Sequence, residues 1–403
     1  MSFVALSFAY LRRRWGQALL SVLVGALGIA AVTIAYVGVD ALPEAAERSW
    51  GGVDLVVGPK GSALDLVLCC VLHISDPTGL VSQKAAMAAV SHPAIRVAAP
   101  IALGDNLNGW RIVGTTPDIL SVYRADFAAG QMWTKPLEAV LGAQAARTMK
   151  LKLGDTFVGA HGLAIGGEVH SQFPYKVVGI LAPTGSVLDR LVLTDIATVR
   201  YIHEKHEKEE AQEAGIAESR IDLPDAATAV VASYKSPVAA LLMPRLINAS
   251  PTLTAASPTF EIARLMSYLR PLTNAALALG LLLVAIAAAG AAAGLMATMN
   301  ARTRDLALLR ALGAGPGKIA AVAFGEAAII AIAALVVGVG LSALAMTWGA
   351  EVLAERTGLL LSPDVTLADF VKLVAGTLAV ALVAALFPAL RAARTPIEEL
   401  LQA

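Results

Sequence analysis

Four stretches of this chain carry almost no charge, and they set its architecture. Gln17 to Val39 is uncharged over 23 residues, about 34 Å as a helix and enough to cross a hydrocarbon core of roughly 30 Å. Pro271 to Ala301 is a second such stretch. Ile319 to Ala350 is a third, broken only by Glu326, and Leu373 to Leu390 is a shorter fourth. The pattern predicts an α-helical membrane protein with four transmembrane helices in a 1+3 arrangement, at 17–39, 271–299, 319–347 and 371–390. A cleaved signal peptide fits the first stretch less well. Arg12-Arg13-Arg14 suits its flank, but the run outlasts a typical apolar core and Leu42-Pro43-Glu44 is a poor cleavage context.

Basic residues orient the helices. Arg12, Arg13 and Arg14 precede the first; Arg302, Arg304, Arg310 and Lys318 lie between the second and third; Arg391 and Arg394 follow the fourth. The connection between the third and fourth helices instead carries Glu351, Glu355, Asp364 and Asp369 against Arg356 and Lys372. The positive-inside rule then puts the 1–16 segment, the 300–318 loop and the 391–403 tail in the cytoplasm. Residues 40–270 become one large extracytoplasmic domain, long enough to bury a core.

Within 40–270 the pattern shortens to that of an α+β domain. Strand-like runs fall at Val53–Val57, Trp110–Gly114, Tyr175–Ile180 and Thr228–Ser233. Helical spacing covers Leu64–Ile74, Val81–Val90, Leu137–Leu151 and Pro237–Asn248. The stretch 203–220 (HEKHEKEEAQEAGIAESR) has no apolar face and reads as a charged insertion.

Composition narrows the function classes. Of 403 residues, 57% are apolar and 15% charged, against about a quarter charged in soluble domains. The 31 basic and 31 acidic residues cancel, which argues against nucleic acid as a partner. Two adjacent cysteines, Cys69 and Cys70, exclude a disulfide scaffold. Gly313-Ala314-Gly315-Pro316-Gly317-Lys318-Ile319 has the wrong spacing for a phosphate loop, and Ile319 stands where a hydroxyl would meet Mg²⁺. With no H-E-x-x-H or G-x-S-x-G motif either, the chain is not expected to be an enzyme, and any ATP-driven work needs a partner chain.

Several residues are candidates for chemistry. His203 and His206, three apart on one helix face beside Glu204 and Glu207, suit a zinc ion; two histidines make an incomplete site, and a solvated charged helix is the plainer account. Cys69, Cys70 and His73 are soft-metal donors or small core residues. Lys60 beside Gly61-Ser62 offers an anion site at a helix start, or a plain capped turn. Glu326 is the one acidic group inside the third helix, where it must face protein or an interface. Gly25, Gly28, Gly280, Gly290, Gly294, Gly338 and Gly340 supply small faces for helix packing in lipid.

The segment after the second helix, Arg302-Thr303-Arg304-Asp305-Leu306-Ala307-Leu308-Leu309-Arg310-Ala311-Leu312-Gly313, reads as a short amphipathic helix ended by glycines. It suits a groove on a partner or a bed of lipid headgroups. With the following GPGKIAAVAFGEAAII it resembles the charged turn, Leu-Arg-Ala-Leu-Gly-Ala run and helix-entering glutamate of the FtsX-like, MacB-type permeases of bacterial ABC transporters. Pro388–Leu400 (PALRAARTPIEEL) is similar to the ending of those proteins, and Ala139–Asp155 with Tyr175–Ile180 to their extracytoplasmic core domain.

The resemblance implies a permease subunit of the inner membrane that passes ATP-driven motion from a separate ATPase to its outer domain. Release of lipoprotein or lipid, or efflux of peptide-like substrates, is the implied work. Arg302, Arg304, Leu306, Leu309, Arg310, Leu312 and Gly313 would couple to the ATPase, which holds the ATP and Mg²⁺; this chain holds no cofactor. The implied partners are an identical or paralogous permease, a periplasmic lipoprotein or binding protein, and membrane lipids. Two other readings stay open: a membrane-anchored sensor or scaffold for an envelope enzyme, and a zinc-export component. The segment from Gly58 to Gly79 departs from the common template, as does the 203–220 insertion.

Overall fold

The computed structural model describes Arg12 and residues 15–162, 169–203, 225–300, 315–357 and 367–394. Its first half runs α1 (Trp15–Trp50), β1 (Leu55–Pro59), α2 (Ala63–Cys70), β2 (Val81–Ser82), α3 (Gln83–Val90), β3 (Ile95–Leu107), β4 (Trp110–Thr115), α4 (Asp118–Tyr123), β5 (Phe127–Gly130), β6 (Glu138–Leu141) and α5 (Ala143–Met149). Then come β7 (Thr156–His161), β8 (Val169–Leu181), a 3-10 turn (Val187–Arg190), β9 (Val192–Asp195) and α6 (196–203). The last elements are β10 (Ala226–Ala227), β11 (Ala229–Tyr234), α7 (Ala239–Asn248), β12 (Leu253–Ala256), α8 (Pro258–Asn300), α9 (Pro316–Thr357) and α10 (Leu367–Arg394). The chain divides into two compact units. One is Leu42–Ser267 with Val352–Leu361; the other is Met1–Ala41, Tyr268–Glu351 and Ser362–Ala403.

The first unit is α+β. Its main sheet follows the order β12-β1-β11-β3-β4-β9-β6-β8-β5, and β7 pairs with both β3 and β8. That double pairing closes β3, β4, β9, β6, β8 and β7 into a ring. Among the described residues, only β4–β9 and β6–β8 are parallel. Alternate residues feed two cores, as the period of a strand requires. In β1, Val56 packs with Trp50, Leu66 and Val231, whereas Leu55 and Val57 pack with Val230, Met243 and Ile247.

One expected helix is mostly something else. Leu137–Leu151 has helical spacing, yet Glu138–Leu141 forms β6, between β8 and β9. The break is Gly142. Its amide donates to the Leu191 carbonyl, and a Cβ there would stand 2.2 Å from the Leu188 oxygen. Sheet pairing overrides the local preference. The expected Leu64–Ile74 helix stops at Cys70, because Val71 and Leu72 both turn back to the Val67 carbonyl and His73 takes a left-handed φ of 56°. The strand-like runs at Val53–Val57, Trp110–Gly114, Tyr175–Ile180 and Thr228–Ser233 all fall on strands.

The second unit is helical. Among the described residues, three helical stretches are long and apolar enough to cross a membrane: Trp15–Trp50, Pro258–Ala297 and Phe324–Ala354. The fourth helix, α10, carries a shorter apolar stretch, Val371–Leu386. The helices outrun the uncharged stretches. α1 continues past Asp40 through Pro43 and ends only where Gly51 and Gly52 take φ of +54° and +122°. α8 begins at Pro258 and runs through Pro271. Charge ends a membrane span, but a backbone-breaking residue ends a helix.

Glycine decides how closely these helices pack. A Cβ on Gly28 would lie 2.8 Å from the Gly280 carbonyl oxygen and 2.9 Å from Val284. One on Gly280 would meet Val32 at 2.8 Å and the Gly28 oxygen at 3.0 Å. α1 and α8 therefore touch backbone to backbone. Gly338 of α9 seats likewise against the Ala26 oxygen and Ile29 of α1. Gly340 faces open space. Gly28→Val should therefore destabilise the protein in detergent by about 1–3 kcal/mol, the usual cost of overpacking. Gly340→Val should stay within about 0.5 kcal/mol. Thermal unfolding compares the two, and equal melting would show that the α1–α8 crossing is not tight.

Candidate functional site

The expected coupling residues Arg302, Arg304, Leu306, Leu309, Arg310, Leu312 and Gly313 lie outside the described residues, as does His206. Glu326 is described. It sits in α9 with 5% exposure, beside the buried Ala327. Its carboxylate is thus enclosed by protein, the setting an ionisable group in a membrane helix needs. In the same unit a small apolar cavity is lined by Ser21, Gly25, Ala291, Ala327, Ala334 and Thr377.

The α+β unit brings together three donors that lie far apart in sequence. β3 bulges between Leu103 and Asp105, and beyond the bulge it pairs with β7 so that Asp105 stands opposite His161. Asn106 fixes this register. Its Nδ2 donates to the Ala160 and Gly162 carbonyls at 3.3 and 3.0 Å, and its Oδ1 accepts from the Gly109 amide at 2.9 Å. The Gly162 amide donates to the Gly104 carbonyl at 2.7 Å. His203 lies in α6, a helix started by Asp195, which accepts from the Ala197 amide at 2.7 Å.

In this cluster Asp105 Oδ1 is 3.4 Å from His203 Nε2 and 3.8 Å from His161 Nδ1. The two imidazole centres are 5.1 Å apart. Asp105 is fully buried, His203 is 23% exposed and His161 42%. One donor atom from each residue lies within 4.8 Å of the other two. The backbone makes room for the ring: a Cβ on Gly104 would fall 2.0 Å from His203 Nε2. Tyr175 is also buried, and burial together with the Asp105 charge raises its phenol above the usual range. The phenol therefore stays protonated.

Two other candidates turn out to be structural. The Lys60 ammonium donates to the carbonyls of Asn248, Ser250 and Leu253 at 3.1, 3.0 and 3.2 Å, so it is spent on the backbone and not on an anion. Ser62 caps α2 by accepting from the Asp65 amide. Cys69 and Cys70 are free thiols, each 1% exposed, in the core. The Cys70 hydrogen bond, and then the Arg111 charge, hold the Cys69 thiol below its usual range. That bond and burial push Cys70 up. His73 ends this segment with its Nδ1 buried and, among the described residues, without a hydrogen-bond partner.

Comparison with known proteins follows this division of the chain. The family described as MacB-like periplasmic core domain matches residues 18–241, more than half of the 403. The family described as FtsX-like permease C-terminal matches residues 277–397. The chain belongs to the FtsX-like, MacB-type permeases. It is an ABC transporter permease, a membrane protein with an extracellular domain. Such permeases are the membrane subunit of a transporter and not its ATPase, so membership implies an ATPase partner. Among solved structures, the extracellular domain of the noncanonic ABC-type transporter YknZ from Gram-positive bacteria is similar at 11% identity; the match covers 51% of this chain and 99% of that one, with a TM-score of 0.29. No curated protein matches.

In this permease the sequence reading found His203 but missed Asp105 and His161. The Asn108-Gly109 turn signal was available. It makes the β3–β4 hairpin with left-handed φ of 50° and 86°, and it fixes the strand that carries Asp105. His73 has a measurable consequence. Burial, and then the Arg111 charge, lower its pKa from 6.5 to about 3. The unfolded chain takes up this proton first, so stability present above pH 6.5 is lost as pH falls toward 3. At pH 4 the loss is about 3 kcal/mol. His73→Asn, neutral and tolerant of the left-handed backbone, should flatten the acid side of a melting-temperature profile between pH 6.5 and 4. Parallel profiles would contradict this origin.

Proposed function

We propose that this permease passes ATP-driven motion from a separate ATPase subunit to its extracytoplasmic α+β domain through α1 and α8. The observation that carries the proposal is the continuity of these helices. Each runs unbroken, Trp15–Trp50 and Pro258–Asn300, and supplies residues to both compact units. The Gly28–Gly280 contact ties the two together within the helical unit. A helix of 36 or 43 residues carries displacement along its axis because most of its backbone hydrogen bonds run along that axis; Pro43 in α1 and Pro271 in α8 each remove one. The positive-inside rule sets both termini and the 300–318 loop in the cytoplasm of an inner-membrane protein.

In this reading the ATPase docks on Arg302, Arg304, Leu306, Leu309, Arg310, Leu312 and Gly313, and it supplies the ATP and Mg²⁺ site. The permease works as a pair, with itself or a paralogue. Its cargo is a lipoprotein, lipid or peptide-like molecule handled on the outer side, directly or with a periplasmic partner. Changing Leu309 and Arg310 together to Asp should lower ATPase capture from solubilised membranes at least about tenfold, as loss of an anchoring apolar and arginine pair does at interfaces. Undiminished capture would refute the docking site.

A further inference from the structure

We propose that Asp105, His161 and His203 form a binding site for a divalent transition metal of the zinc type, in the extracytoplasmic α+β domain. The inference stands on side-chain geometry and does not depend on coupling to an ATPase.

The donor set selects the class of ion. Two imidazole nitrogens and one carboxylate oxygen suit Zn²⁺ and its first-row neighbours, whereas Ca²⁺ and Mg²⁺ favour all-oxygen shells. Zinc holds such ligands at about 2.0–2.2 Å, so tetrahedral ligand atoms stand about 3.3–3.6 Å apart. The observed 3.4 Å from Asp105 Oδ1 to His203 Nε2 falls in that range, and the 3.8 Å to His161 Nδ1 lies just above it. The three donors lie within 4.8 Å of one another, and the half-exposed His161 ring is the one least held by surrounding protein. Three protein ligands leave one tetrahedral position for water or another donor.

Three features around the cluster support this assignment. The Asp105 carboxylate is wholly buried and lies within reach of both rings, at 3.4 and 3.8 Å. The donors come from three separately anchored elements: the bulged end of β3, the end of β7 and helix α6. Asn106 and the Gly162–Gly104 hydrogen bond hold the first two in register whether or not a metal is bound. The third enters only because residue 104 is glycine. A bound ion would therefore clamp α6 onto the seam where β3 and β7 close the ring.

The test uses the full-length permease in detergent, stripped with chelator and titrated with Zn²⁺ by calorimetry and by competition with a chromophoric chelator. One equivalent per chain should bind with a dissociation constant of about 1 μM or tighter. Asp105→Asn and His161→Ala should each weaken this binding at least tenfold, whereas His92→Ala, on a separate loop, should leave it unchanged. His161 is 42% exposed, so its replacement keeps the fold testable if the Asp105 variant fails to fold. Gly104→Ala, which pushes a methyl into the His203 ring, should weaken binding by a similar factor. Bound Co²⁺ should give the visible bands of a four- or five-coordinate site and lose them in His161→Ala. Absence of binding in the unmodified chain would overturn the proposal. So would unchanged affinity in both His161→Ala and Gly104→Ala, which would assign any bound zinc to other residues such as the charged 203–220 stretch.

Discussion

The helical unit is organised by the lack of a side chain at two positions. Where Gly28 meets Gly280, the α1 and α8 backbones are in contact, and a single methyl on either side would collide with a carbonyl. Lipid offers no hydrophobic reward for bringing helices together, so close backbone packing of this kind is what association in a membrane relies on. Gly338 applies the same device between α9 and α1, which leaves α1 held from two sides. α1 and α8 are also the helices that run on into the α+β unit, where Ala46, Trp50 and Ile262 join a core cluster. The contact that orders the membrane helices thus falls on the two helices that also supply residues to the α+β unit.

Much of the fold was legible along the chain. The charge-free stretches locate the apolar helices, because hydrocarbon excludes charge whatever the rest of the fold does. β-branched runs between turn residues mark β1, β4, β8 and β11. Helix ends were harder to see. Charge says nothing about where the backbone stops being helical, so α1 extends to Gly51 and α8 starts thirteen residues before Pro271. β6 was hidden for another reason. Ala139, Val140 and Leu141 are buried by neighbours on both sides, and a short fully apolar run carries no period that separates strand from helix.

The cluster was legible only in part, and the reason is register. His203 drew notice because it stands beside His206 in a charged stretch, yet its partners in space are Asp105 and His161. Which residue of β3 faces which residue of β7 depends on a bulge and on the side chain of Asn106, and neither leaves a periodic trace. Lys60 shows the opposite failure. Its place before a helix suggests an anion, but three carbonyls that converge from the chain around residue 250 claim its charge.

Those same carbonyls bear on how this domain avoids unwanted company. β12 is the open margin of the main sheet, a place where a stray strand from another molecule would add itself. The Asn248 side chain occupies that margin. Its amide donates to the Ala255 carbonyl and accepts from the Ala255 amide, both at 2.9 Å, as a neighbouring strand would. Lys60 takes up the Leu253 carbonyl beside it. The far margin, β5, is four residues long and finishes at Gly130 with φ of 78°. The domain therefore offers little template for fibril-like or chain-to-chain growth, and it achieves this with one asparagine, one lysine and a short border.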